Sequence, residues 1–188
     1  VFYFTLTALE PLFIRHGLRL TRVERTPLHG GSLRIFARHH SKEEDETVAA
    51  LRAEETKLGV ITLDYFRDFS AKAEAIRASL REQIVDFKSE GKTLAAYGAA
   101  AKGSMLLNYC GLNSGDLAFV VDRSPHKQGK LMPGAHVPIV ATEELAERAP
   151  DVTLLLAWNF MNEILAQQTA YRDAGGKFLI PIPRVHMI

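Results

Sequence analysis

From residue 91 to residue 188, short apolar runs alternate with longer stretches of mixed polarity, and glycine or proline stands at the joints. That alternation constrains the fold more than any other feature of the chain. The runs Thr93–Tyr97, Ala118–Val121, Val137–Val140, Val152–Ala157 and Lys177–Ile180 predict strands. The stretches Lys102–Tyr109, Thr142–Arg148 and Asn159–Ala174 predict helices, with Thr142 and Asn159 suited to cap two of them. A run as apolar as Thr153-Leu154-Leu155-Leu156-Ala157 suits a strand covered on both faces. The class this implies is α/β, a doubly wound and mostly parallel sheet. Ligands of such sheets bind outside the carboxyl ends of the strands, so the residues just after each strand carry the functional information.

Charge divides the chain into three parts. Residues 1–40 hold six Arg and two acids, and residues 41–90 hold twelve acids and eight bases with no Pro. Residues 91–188 carry nine of the thirteen Gly and six of the eight Pro. The first part reads as a helix followed by two strands, Leu18–Arg25 and Ser32–Arg38; Thr7 with Glu10 forms a capping box and Gly17 a stop. Two strands alone cannot bury both faces of a ribbon, so this part reads as the edge of a larger sheet. The middle part reads as two helices. One opens at Ser41 with Glu44, Gly59 interrupts, and the other runs from Asp64 to Glu90 with an apolar stripe at Phe66, Phe69, Ala73, Ile76, Leu80, Ile84 and Phe87.

Several classes are excluded. With a net charge of +1 and no basic face, no nucleic-acid footprint is visible. The longest largely apolar run, Val152–Trp158, is far shorter than the roughly 20 residues of a membrane span. The single cysteine, Cys110, forbids an intrachain disulfide and a multi-cysteine zinc site, and points to a reducing, cytoplasmic compartment. The histidines have no ligand spacing. The chain opens on Val1-Phe2-Tyr3-Phe4 rather than on a signal sequence, which leads us to expect that it begins inside a larger protein.

After the first strand of the last part stands Gly98-Ala99-Ala100-Ala101-Lys102-Gly103-Ser104. Gly98 and Gly103 hold the outer positions of a dinucleotide fingerprint, but Ala100 replaces the glycine that lets a pyrophosphate approach the backbone. The lysine precedes the second glycine, unlike a nucleoside-triphosphatase loop. What remains is a turn of small residues into a helix N-terminus with a lysine, either a generic anion site or a turn kept tight for packing. After the second strand, Asp122 could accept from a ribose hydroxyl or could cap its own turn. Lys127, Gln128 and Lys130 make the following loop basic, and Trp158, after the fourth strand, could stack on a ring or lie in the core.

Taken in order, these segments resemble one family. They are Val1-Phe2-Tyr3-Phe4-Thr5-Leu6, His29-Gly30-Gly31-Ser32-Leu33-Arg34, and Tyr97 to Ser104 with Asn108-Tyr109. Further along come Asp122-Arg123-Ser124-Pro125-His126-Lys127-Gln128-Gly129, Pro133-Gly134 and Leu155-Leu156-Ala157-Trp158-Asn159. The family is the S-adenosylmethionine-dependent C-methyltransferases that act on nucleotide-linked keto-deoxysugars. The resemblance implies a zinc-binding N-terminal part, a central class I methyltransferase domain that binds S-adenosylmethionine, and a Rossmann-like C-terminal domain, with the nucleotide sugar between the last two. On that pattern residues 1–40 are the end of the methyltransferase domain, 41–90 a helical connector and 91–188 the Rossmann-like domain.

The family's zinc cysteines, its glycine-rich methyl-donor loop and its Tyr, Glu, His acid/base cluster have no counterpart in this sequence. Methylation at carbon needs a base for the proton beside the keto group and a positioned methyl donor. The chain alone is therefore expected to be inactive, with S-adenosylmethionine and zinc bound mainly elsewhere in the parent. The resemblance implies that Lys102, Lys127 and Ser104 contact the diphosphate beside the helix after Gly103. It implies that Asn108, Asp122 and Gln128 orient sugar or base, and that His29, Ser32 and Arg34 face the same ligand. Two competing readings are a non-catalytic module for NAD or a coenzyme-A nucleotide, and a domain that only supports its neighbour.

Overall fold

The computed structural model describes residues 4–28, 31–39 and 44–188. The chain forms two compact units, Val1–Ala71 and Lys72–Ile188. The segment expected as a connector, residues 41–90, contributes to both.

The first unit holds α1 (Leu6–Arg15), the antiparallel ribbon of β1 (Leu18–Thr26) and β2 (Ser32–His39), and α2 (Glu46–Leu58). One face of the ribbon is covered: Leu20 and Val23 are buried with Leu6, Val48 and Leu51 of the helices. The expected capping box at Thr7 is displaced. Thr5 is the N-cap, its hydroxyl accepting from the N–H of Ala8 at 3.1 Å. Thr7 instead donates its hydroxyl to Glu55 at 2.6 Å. Glu55, buried on α2, also accepts from the N–H groups of Leu6 and Thr7 at 2.7 and 2.8 Å. A carboxylate supplied by another helix thus satisfies donors that the first turn of α1 leaves open. Ser41 lies outside the described residues, and α2 is capped by Asp45, whose carboxylate accepts from the N–H of Thr47. Gly59 ends α2 in the left-handed region at φ 65°, as its position predicts.

Helix α3 (Leu63–Ser89) starts in the first unit and ends in the second. Its stripe is apolar along its whole length in sequence but buried only in its second half. Leu80 and Ile84 are buried, whereas Phe66 and Phe69 are 58% and 69% exposed.

In the second unit a six-stranded sheet runs in the order β5 (Ile139–Val140), β4 (Val120–Val121), β3 (Leu94–Tyr97), β6 (Val152–Leu155), β7 (Lys177–Ile180), β8 (His186–Met187). All pairs are parallel except β7 with β8, a final antiparallel strand that the sequence pattern did not suggest. Alternate residues of β3 feed opposite cores. Leu94 and Ala96 join Leu80, Ile84 and the buried side of α4 (Ala101–Cys110), whereas Ala95 and Tyr97 join Leu145, Ile164, Tyr171 and Phe178. This two-sided burial is why the strands read as unbroken apolar runs. Tyr171, fully inside, accepts from the Thr153 hydroxyl at 2.9 Å and donates to the Pro150 carbonyl at 2.8 Å, so its burial strands no polar group.

Two expected caps do not form. Short α5 (Glu144–Arg148) has no side-chain cap from Thr142, and the expected helix from Asn159 divides into a 3-10 turn (Trp158–Phe160), α6 (Met161–Gln167) and α7 (Thr169–Asp173). Among the described residues no helix is long and apolar enough to cross a membrane.

Candidate functional site

The strand order changes direction between β3 and β6. The helix after β3 packs on one face of the sheet, and α6, after β6, packs on the other. A crevice outside the carboxyl ends of strands opens at such a switch point.

The turn after β3 is built to stay tight. Gly98 has φ 95°, and a Cβ there would lie 2.6 Å from that of Ala157. At Gly103 a Cβ would lie 2.8 Å from that of Leu156, so this glycine lets α4 close on the sheet. Ala100, where the fingerprint has its middle glycine, is the N-cap of α4 with φ −90° and ψ 155°, a conformation any residue adopts. It offers no side-chain hydrogen bond to the helix. The first turn of α4 therefore presents N–H groups without a side-chain cap.

Lys102 lies in that turn. Its Nζ is 4.5 Å from the ring centroid of Trp158, and burial pulls its pKa below the ordinary lysine value. Trp158, which the sequence left open between core and ring-stacking, is half-buried against one core and carries the lysine on its face. An arriving anion would offset the cost of holding the charged amine in this partly desolvated place.

Asp122, at the end of β4, is nearly buried, and its carboxylate is fully engaged. It accepts from the N–H of Ala99 at 2.7 Å, the N–H of Ser124 at 2.8 Å and Nζ of Lys127 at 3.1 Å. Gln128 donates to the Asp122 carbonyl at 2.9 Å. Asp122 thus pins the Gly98 turn to the basic loop, which brings Gly98, Lys102, Gly103, Asp122, Lys127 and Gln128 to one end of the sheet.

The other expected residues that are described are engaged within their own units. The Ser104 hydroxyl approaches the Ala100 carbonyl at 3.5 Å within α4. Asn108 lies two turns along α4 and donates to the carbonyls of Ser104 at 2.7 Å and Pro133 at 2.9 Å, holding the 129–134 loop to the helix. Gly134, at φ 76°, has no room for a Cβ beside that amide. Ser32 and Arg34 belong to β2 in the first unit, where Ser32 donates to the Leu28 carbonyl and Arg34 pairs with Glu24 at 3.4 Å. His29 lies outside the described residues. Among the described residues no group of three or more His, Cys, Asp and Glu is placed to hold a metal ion.

Sequence reasoning missed a cleft of about 240 Å³ at the same end of the sheet, on the α6 side. Tyr97, Gly98, Ala157, Phe160 and Ile164 line it together with the polar Asp122, Arg123, Glu163 and Gln167. Arg123 pairs with Glu163 at 3.3 Å. Burial raises the pKa of the Tyr97 phenol, whose oxygen accepts from Gln168 at 3.5 Å. The signal that could have found it was position: Arg123 follows β4 and Phe160 follows β6, where a doubly wound sheet places its ligand.

A mostly parallel sheet in the order seen here, with helices packed on both faces, is a Rossmann-like fold. Residues 27–183 match the family model described as C-methyltransferase C-terminal domain, and the chain belongs to that family. It is also 39% identical over 188 residues to C-methyltransferase NovU of Streptomyces niveus, an alignment that takes in 99% of this chain and 45% of that protein. The chain thus spans less than half the length of this relative.

Proposed function

We propose that the protein to which this chain belongs is an S-adenosylmethionine-dependent C-methyltransferase of the cytoplasm whose acceptor is a nucleotide-linked keto-deoxysugar. This chain supplies the surface that holds the nucleotide end of the acceptor. Membership in the C-methyltransferase family supports the reaction class. The observation that carries the acceptor reading is the uncapped first turn of α4 with Lys102 inside it and Lys127 tethered nearby through Asp122. Helix N–H groups and ammonium groups are the donors a diphosphate needs.

S-adenosylmethionine, when bound elsewhere in the parent, supplies the electrophilic methyl group. This chain's residues bind and orient. They fix the diphosphate so that the distant keto carbon is presented in one place, which is the entropic part of catalysis. The base that removes the proton beside the ketone, and the zinc, belong to other parts of the parent, so the chain alone does not transfer methyl groups. Family membership gives the NAD or coenzyme-A module no support.

Calorimetric titration of the chain with thymidine and uridine diphosphates tests the reading. Lys102→Ala and Lys127→Ala should each weaken binding about tenfold, the loss of one charge-assisted hydrogen bond. Unchanged affinity in both variants, or tighter binding of NAD than of either diphosphate, would overturn it.

A further inference from the structure

We infer that the open face of the β1–β2 ribbon docks a carboxylate-bearing surface on the part of the parent protein that this chain does not span. The inference rests on the reading of the chain as part of a larger protein and is independent of the acceptor. One face of the ribbon is covered, since Leu20 and Val23 pack with α1 and α2. The other carries Arg19, Arg22 and Glu24 of β1, opposite Arg38, Phe36 and Arg34 of β2 in that order. No basic face is visible in sequence order; antiparallel pairing makes one. Arg19 stands directly opposite Arg38, and like charges so placed destabilise a ladder. Both are exposed, and neither has a carboxylate partner among the described residues. An opposed pair of cations costs stability unless an anion lies over both.

The rest of the face says what kind of anion. Arg22 lies over the Phe36 ring at 5.6 Å from its centroid, and Glu24 accepts from Arg22 at 2.7 Å and Arg34 at 3.4 Å. A phosphate backbone running along the ribbon would meet a half-exposed aromatic ring and then a carboxylate. A protein surface suits the pattern better: carboxylates for the forks of Arg19 and Arg38, an apolar side chain for Phe36. Every cation in residues 1–40 other than histidine is Arg, the side chain that pairs with carboxylates through two parallel hydrogen bonds. That surface belongs to the parent itself because a two-stranded ribbon needs further cover for independent stability, and the chain takes up only 45% of its relative.

The test compares the 188-residue chain with the whole parent protein by thermal melting. The double variant Arg19→Gln, Arg38→Gln removes the opposed charges. It should raise the melting temperature of the chain by about 1–3 °C and lower that of the parent by about 3 °C or more. Arg38→Lys, which keeps the charge without the fork, should lower the parent's value by a smaller amount and remains measurable if the double variant does not fold. A shift of the same sign in chain and parent, or none in either, would overturn the inference. A peptide of about ten glutamates at low salt should bind the chain, lose binding in the double variant and not bind the parent, whose face is already covered. Equal binding to chain and parent would show a face left free for a separate protein. Tighter binding of a DNA duplex than of the peptide would show a nucleic-acid surface. Either result sinks the proposal. Thymidine diphosphate should bind the double variant of the chain as it binds the native chain, which keeps failure here distinct from failure of the acceptor reading.

Discussion

The two units of this chain are held together by different means. In the first, five buried apolar side chains among the described residues sit under one face of a two-stranded ribbon. In the second, nineteen and ten fill the two faces of a six-stranded sheet. The ribbon unit compensates with charge. Glu55 reaches from α2 to the start of α1, and Arg52 of α2 bonds Glu10 of α1 and Glu44, holding the Glu44 carboxyl below its ordinary range. The sheet unit uses polar groups to fix positions that packing leaves free. Thr93 donates its N–H and hydroxyl to Asp151, each at 2.7 Å, which aligns the starts of β3 and β6. Apolar burial scales with area, so the sheet unit should hold the larger share of cooperative stability. The ribbon unit should depend on individual polar contacts.

The largest effect expected is at Gly98. Alanine there meets both a positive φ and the Cβ of Ala157, costing about 3 kcal/mol from backbone strain and overpacking together. Chemical denaturation should show the loss in the sheet unit, followed by weaker nucleotide binding as the turn shifts. Next is Glu55→Ala, which leaves the Leu6 N–H buried without a partner and should cost about 2 kcal/mol. Hydrogen exchange should report that loss in α1 and the ribbon while the sheet amides stay protected. Loss of protection across both units would break the distinction between them.

A smaller effect is set by pH. The hydrogen bonds from Thr93 hold the Asp151 carboxyl below its ordinary value of 3.8. A depressed carboxyl contributes stability above its unfolded value, and that contribution is lost as pH falls through the folded one. Melting curves should therefore steepen below about pH 4 in the native chain and flatten in Asp151→Asn. Equal acid limbs would show that Asp151 does not stabilise the sheet through its charge.

Much of the sheet unit was legible because its signals are dense. Unbroken apolar runs at β3, β6 and β7 suit strands buried on both faces and little else at that length, and glycines 98 and 103 mark the tight entry into a helix. The short strands β4 and β5 are trimmed relative to the sequence reading because Ala118 and Val137 sit just before the ladders, where only hydrogen bonding sets the boundary. The candidate site was half legible. The rule that ligands meet strand ends singles out Lys102, Asp122 and Lys127 as candidates. The engagement of Asp122 by Ala99, Ser124 and Lys127 does not follow from it, because it joins segments 23 residues apart. The cleft was invisible for the same reason, since Arg123 and Glu163 meet across 40 residues. Local spacing also misled at α1, where Thr5 and a distant Glu55 outcompete the local pair Thr7 and Glu10.

Helix α3 carries the contrast between the units within a single element, and it yields the smallest expected effect. Its apolar positions keep one period from Phe66 to Phe87, so periodicity alone assigns them all to a core. Leu80 is fully buried in the sheet unit, whereas Phe69 is 69% exposed. Truncating a buried leucine commonly costs about 2–5 kcal/mol, of which a large part is the cavity left behind. Phe69 leaves no cavity, and alanine is the better helix former, so Phe69→Ala should change stability by less than about 0.5 kcal/mol. Urea denaturation of the chain measures this directly. A loss of about 2 kcal/mol or more at Phe69, the cost of truncating a core side chain, would mean that the first half of α3 is buried in solution, and that the ribbon unit has an apolar core as large as its stripe implies.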